Sequence, residues 1–234
     1  MNFGQQLFAS SWVKQDGEDI VQWSMYGDDK RGVRISLPDD PFQWHMLDGS
    51  YGIPGTDIKW TFDNVEAPYS AEDVFGDGYL LMPSINRAEF LKEVSYVEDV
   101  AQAYQHHVRQ EGDMISISGH PTQLARFKWD RWKFQKEHRF VISAIRGPQK
   151  TNDPMEYGEK YRELVRDEHW HKKGALSTFI DLMVEPEIME SIAITLGPMC
   201  SEEDRERITK LCKSYAKKAR VCQSDLTGKI RSKI

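Results

Sequence analysis

Cysteine is scarce in this chain, and the three present, Cys200, Cys212 and Cys222, are odd in number and widely spaced, with no C-x-x-C among them. Neither a disulfide framework nor a zinc knuckle fits that pattern, so they are expected to be buried or idle thiols. Long apolar runs are lacking too: Phe140 to Ile142 and Tyr79 to Met82 fall far short of the ~20 residues that a membrane helix needs. Met1 to Val13 has no charged region leading into an apolar one, so no secretory leader is expected and the chain is read as cytoplasmic. Basic residues are outnumbered, 31 Lys and Arg against 37 Asp and Glu, for a formal charge of -6. A dedicated nucleic-acid binder needs a basic face that releases counterions, so at most a local basic patch is left open. The sequence has no G-x-x-x-x-G-K-[ST], H-E-x-x-H, G-x-S-x-G or G-x-G-x-x-G. The reaction classes that those motifs carry lose most of their support.

What is present suits a folded protein. The 234 residues are 39% apolar and 29% charged, enough for one sizeable core and unlike a disordered chain. Strands are expected at Leu7 to Val13, Val33 to Leu37, Ile58 to Phe62, Tyr79 to Met82, Met114 to Ser118, Leu176 to Val184 and Ser191 to Gly197, where apolar residues alternate or cluster between turn signals. Lys136 to Ile145 is the clearest strand. Both of its alternating sets are apolar, as in a central strand covered on two faces. Helices are expected at Glu18 to Met25, Glu98 to Gln110 and Glu202 to Lys218, the last opened by Ser201 and Asp204 in a near capping box. Together these make a single-domain α+β fold, a central mixed sheet flanked by helices with loop-rich insertions. Residues 146–174 read as a polar insertion holding a short helix around Tyr157 to Trp170.

No metal site is indicated. His169 and His171 stand two apart among Asp167, Glu168, Lys172 and Lys173, and read as surface histidines, as do His106 and His107. More informative are Ser10-Ser11-Trp12, Gln22-Trp23-Ser24-Met25-Tyr26-Gly27 and Gly32-Val33-Arg34-Ile35. If their strands are neighbours, Ser10 or Ser11, Tyr26 and Arg34 converge on one cleft. In the competing reading Trp12 and Trp23 are core, Tyr26 caps a helix end and Arg34 pairs with a surface carboxylate. Glu137 and Arg139 lie two apart where a charged segment enters the central strand, so they share a face and must be paired or solvated. An internal ion pair, with Lys128 or Arg34 in reach, and a solvated cleft are both open.

At these residues the chain resembles a bacterial family, domain of unknown function 2971. The likeness runs through Phe8-Ala9-Ser10-Ser11-Trp12, Trp23 to Gly27, Gly32 to Ile35, Val94-Ser95-Tyr96, Trp132 to Arg139 and Ile194 to Pro198. Members of the family usually carry a Tyr-rich first strand and an Asn-Asp-Pro-x-Glu turn before the Ser-Trp motif. The chain lacks that segment, and Asn152 to Glu156 repeats the letters out of family order. The outline is also similar to the ADP-ribosyltransferases. That likeness implies Glu137 as the catalytic carboxylate, Tyr26 as a nicotinamide-ring partner, Arg34 as a pyrophosphate partner, Ser10 and Arg139 in the binding site, and NAD as the nucleotide used.

Two function classes follow. In the first, the chain is an enzyme using NAD or a related nucleotide in phage defence or another bacterial conflict, as the family likeness implies. In the second it is a non-catalytic module whose aromatic-rich loops, with Trp44, Tyr51, Trp60 and Tyr69, bind a protein partner. A nuclease built from scattered carboxylates is less supported, because no carboxylate-lysine motif is present.

Overall fold

Ten consecutive residues, Glu137–Arg146, form the longest strand among those described, and the first sheet is built around it. The computed structural model describes residues 3–53, 55–57, 59–83, 86–112 and 114–230. Its helices and strands are both abundant, with strands in several separate sheets, an α+β architecture. The chain divides into two compact units: Met1–Val13 with Trp44–Met183, and Lys14–Gln43 with Val184–Ile234.

In the first unit Leu7–Val13 runs antiparallel along the central strand, from Leu7 opposite Ser143 to Val13 opposite Glu137. The other edge is shared by Tyr79–Met82 against Ser143–Arg146 and by Leu91–Glu93 against His138–Phe140. Strands flank it on both edges, and Phe140, Val141, Ile142 and Ala144 are all buried, so both faces of the strand are covered and both alternating sets are apolar. His45–Gly52 and Lys59–Ala67 pair as an antiparallel ribbon with a register shift between Leu47 and Gly49. The loop-rich reading of this region resolved only its second strand, and Ile58 lies outside the described residues. Ser95–Val97 and Phe127–Trp129 make a short parallel pair.

Two expected elements are redrawn here. The helix expected to Gln110 is Val100–His107, because Val108 turns extended and Val108–Glu111 pairs with Met114–Ile117 instead. The strand expected over Leu176 to Val184 is not formed: apart from a bridge between Val184 and Phe42, no ladder joins it among the described residues. Phe179 and Met183 are exposed. Alternation can make a segment extended, but a strand also needs a free edge to pair with.

The polar stretch 146–174 carries the helix Pro154–Val165, opened by proline and by Asp153, whose side chain accepts from the Met155 N–H at 2.9 Å. Tyr157 and Tyr161 on this helix pack with Ile53 and Leu80 in a buried cluster, covered by Trp60, Phe75 and Trp170.

The second unit holds a three-stranded sheet in which Ala193–Leu196 is central. It runs parallel to Arg220–Gln223 and antiparallel to Val33–Ser36. Helix Glu202–Tyr215 makes the crossover that a parallel pair requires. The Asp204 N–H donates to Ser201 Oγ at 3.1 Å and the Ser201 hydroxyl donates to Asp204 Oδ2 at 2.8 Å, so the expected capping arrangement is formed. Helix Ile20–Tyr26 starts after Asp19, its N-cap, and Gly27 ends it by donating to the Trp23 carbonyl at 3.1 Å.

Candidate functional site

The entry of the central strand gathers a cluster of charged side chains. Glu137 is only 6% exposed, yet both its oxygens are met by cations: Arg139 Nε donates to Oε1 and Lys128 Nζ to Oε2, each at 2.7 Å. Ser11 also hydrogen-bonds the carboxylate. Burial by itself would raise the Glu137 pKa, but the hydrogen bonds from Arg139, Lys128 and Ser11 and the Arg139 charge outweigh it and hold it at about 2. The backbone N–H of Glu137 donates to the Tyr96 hydroxyl at 2.8 Å, and Arg139 also donates to the Ala125 carbonyl. Register explains the selection of Ser11. It lies opposite Arg139 and shares its face, whereas Ser10 lies opposite Phe140 on the other face and accepts from Trp12 Nε1 at 2.9 Å.

Lys128 has a second role. It also donates to the side-chain oxygen of Gln135, which is buried, and its Nζ lies 5.5 Å from the Trp132 ring centre. The segment between these two anchors is a 3-10 helix, Asp130–Gln135. Lys136 closes it with φ 49°, a left-handed conformation that costs a non-glycine residue about 1–2 kcal/mol and persists where flanking contacts fix it. The bracket turns large rings outward: Trp129, Trp132 and Phe134 are 51%, 38% and 46% exposed. Arg131, Lys133 and Lys136 are exposed between and beside them. From Arg126 to Arg139 six Lys and Arg stand against two carboxylates, in a chain whose formal charge is -6.

The remaining candidates lie in the second unit. Tyr26 is the exposed last residue of helix Ile20–Tyr26. Arg34 is half-buried opposite Thr195; it donates to the Gly17 carbonyl at 3.0 Å and more weakly to the Thr195 hydroxyl at 3.4 Å. Beside it Glu18 accepts from Trp23 Nε1 at 2.8 Å, from the Ser224 hydroxyl at 2.6 Å and from the Asp225 N–H at 2.8 Å. Burial raises the Glu18 pKa, but the Ser224, Asp225 and Trp23 hydrogen bonds and the Arg34 charge lower it overall. Ser11, Glu137 and Arg139 thus come together within one unit, while Tyr26 and Arg34 belong to the other.

The aromatics first singled out for partner binding sit elsewhere than on an open face. Tyr69 is buried, Trp60 packs on the tyrosine cluster, Tyr51 lies against Phe62, and Trp44 packs on Phe90 with Arg87 over its ring. Tyr26, Phe179 and Tyr215 are exposed singly, whereas the Trp129 turn exposes three rings within six residues. Their signal in the sequence was the alternation of rings and cations, which was absorbed into the family motif. His169 and His171 are exposed, and among the described residues no group of three or more His, Cys, Asp or Glu is placed to hold a metal ion. Among the same residues, no helix is long and apolar enough to cross a membrane.

No family model matches the chain, and no significant match exists among curated proteins or solved structures. The likeness to domain of unknown function 2971 therefore rests on the sequence motifs, and that to the ADP-ribosyltransferases on an outline order of elements.

Proposed function

We propose that the protein is a non-catalytic binding module acting in the bacterial cytoplasm, and that its recognition face is the Trp129 to Lys136 turn. The observation that carries this reading is the exposure of three large rings within six residues, on a turn fixed at both ends by the Lys128, Gln135 and Glu137 contacts. Rigid aromatic anchors give contact area with little loss of side-chain freedom, and exposed clusters of them mark interaction surfaces. In this reading Glu137 is a positioning residue. It holds Lys128, and through Lys128 the turn.

The nucleotide-transferase reading asks Glu137 to face a ligand and stabilise a developing positive charge. With Arg139 and Lys128 on its two oxygens, that charge is already neutralised. The experiment has two arms. The purified protein is incubated with NAD and a panel of nucleotides and followed by mass spectrometry. In parallel, a photo-crosslinking amino acid is placed at Trp132 and, as a control, at Phe179. The module reading expects no nucleotide turnover and adducts in cells from position 132 but not 179. Turnover of a nucleotide that Glu137→Gln slows by about 10²–10³ overturns it in favour of the enzyme.

A further inference from the structure

We propose that the Trp129 to Lys136 turn binds single-stranded nucleic acid, with Trp129, Trp132 and Phe134 as stacking platforms and Arg131, Lys133 and Lys136 as phosphate partners. The proposal rests on the module reading and names its partner.

Three observations select this partner. The first is alternation: Trp129, Arg131, Trp132, Lys133, Phe134 and Lys136 place a cation beside each ring, and all six are exposed. A strand of unpaired nucleotides presents the same alternation, a flat base and an anionic phosphate in each unit. The second is ring geometry. Trp132 and Phe134 lie as a tilted pair with centres 6.0 Å apart and planes at 38°, with Lys128 Nζ over the Trp132 ring and the Arg131 guanidinium over the Trp129 ring. Recognition sheets for RNA use two or three aromatics in this way, one base to each. The third is charge: in a chain of formal charge -6, residues Arg126 to Arg139 carry six cations against two carboxylates, a local excess that attracts a polyanion.

Other anionic partners fit less well. Duplex nucleic acid hides its base faces, and its major groove takes a longer helix or ribbon than this six-residue 3-10 turn. An anionic membrane favours a continuous apolar face on a helix, whereas here a cation interrupts every aromatic pair. An acidic peptide satisfies the cations and leaves the rings unused.

The test uses the full chain and fluorescein-labelled oligothymidine and oligouridine of about 12 nucleotides, within the footprint of one small single-strand site. Anisotropy is read in low salt, beside a duplex of the same length and vesicles of phosphatidylglycerol. Binding to the single strands is expected, with quenching of tryptophan fluorescence. Trp132→Ala and, as an independent second variant, Phe134→Ala should each weaken it by about 10-fold to 100-fold with an unchanged thermal melt, and Trp132→Phe should restore much of the loss. Three phosphate contacts predict a slope of log affinity on log salt near about -2, falling toward about -0.7 in Lys133→Gln/Lys136→Gln.

The proposal is overturned by absence of single-strand binding up to about 100 µM protein, the weak end of non-specific affinity. Equal affinity for the duplex, binding that the ring variants leave unchanged, or vesicle binding lost in the same variants also overturns it. Crosslinking of a protein at position 132 without oligonucleotide binding removes this inference and leaves the module reading standing. Loss of both removes both.

Discussion

Arg139 stands two residues beyond Glu137 on the same face of one strand, and its guanidinium folds back so that Nε donates to Glu137 Oε1 at 2.7 Å. Lys128 closes the other carboxylate oxygen at the same distance. A buried carboxylate with a cation on each oxygen is costly to dismantle from either side. Removing one member strands the others in a poorly solvated place. Glu137→Ala should therefore destabilise by about 3–5 kcal/mol in urea unfolding, and the Trp129 to Lys136 turn should lose its order, seen as a change in tryptophan emission before global unfolding. Unchanged stability would mean that water replaces the carboxylate, and the positioning role would fall.

The same carboxylate sets an acid limit. Its pKa is depressed from 4.5 in the unfolded chain to about 2 in the folded one, so its stabilisation is fully present above pH 4.5 and is lost as pH falls toward 2. Glu18, whose pKa is also lowered, acts in the same direction in the second unit. Stability should fall through this window in wild type and fall less steeply in Glu137→Gln, which has no proton to take up. Parallel pH dependence in the two proteins would place the acid sensitivity elsewhere.

Gly197 follows the strand Ala193–Leu196, where the chain passes close to the Lys30 to Gly32 turn. A Cβ on Gly197 would lie 2.3 Å from the Lys30 carbonyl oxygen and 2.8 Å from that of Gly32, both backbone atoms. Gly197→Ala should destabilise by about 1–3 kcal/mol or more, because the clash is relieved only by moving main chain. Limited proteolysis should then cut first within the second unit. A melt equal to wild type would show that the turn gives way at no cost.

Tyr157 presents the opposite case. Its ring is part of the buried cluster, but its hydroxyl is buried and has no hydrogen-bond partner among the described residues. Burial, with the nearby Tyr161, Asp77 and Tyr79, pushes its pKa upward and keeps it neutral. Tyr157→Phe retains the packing and removes the unsatisfied group, so stability should be unchanged or rise by about 1 kcal/mol. A loss of more than that, measured by thermal or urea unfolding, would reveal a partner for the hydroxyl.

Much of this protein is determined by local sequence. Apolar alternation on two faces marks the central strand, Ser201 with Asp204 marks the start of the Glu202–Tyr215 helix, and Tyr79–Met82 forms where its apolar run predicts. These are short-range effects of period and capping. The tertiary structure decided what depends on partners distant in the chain. Leu176 to Val184 alternates yet finds no ladder among the described residues, and Val108 leaves its helix because Ile117 offers an antiparallel partner. The sequence put Glu137 and Arg139 on one face, since side chains two apart on a strand must be. Lys128 reaches Glu137 because the Asp130–Gln135 turn folds back between them, and that closure sets which rings face solvent. Local periodicity is written along the chain, whereas partner choice and exposure are settled by which surfaces the folded chain brings together.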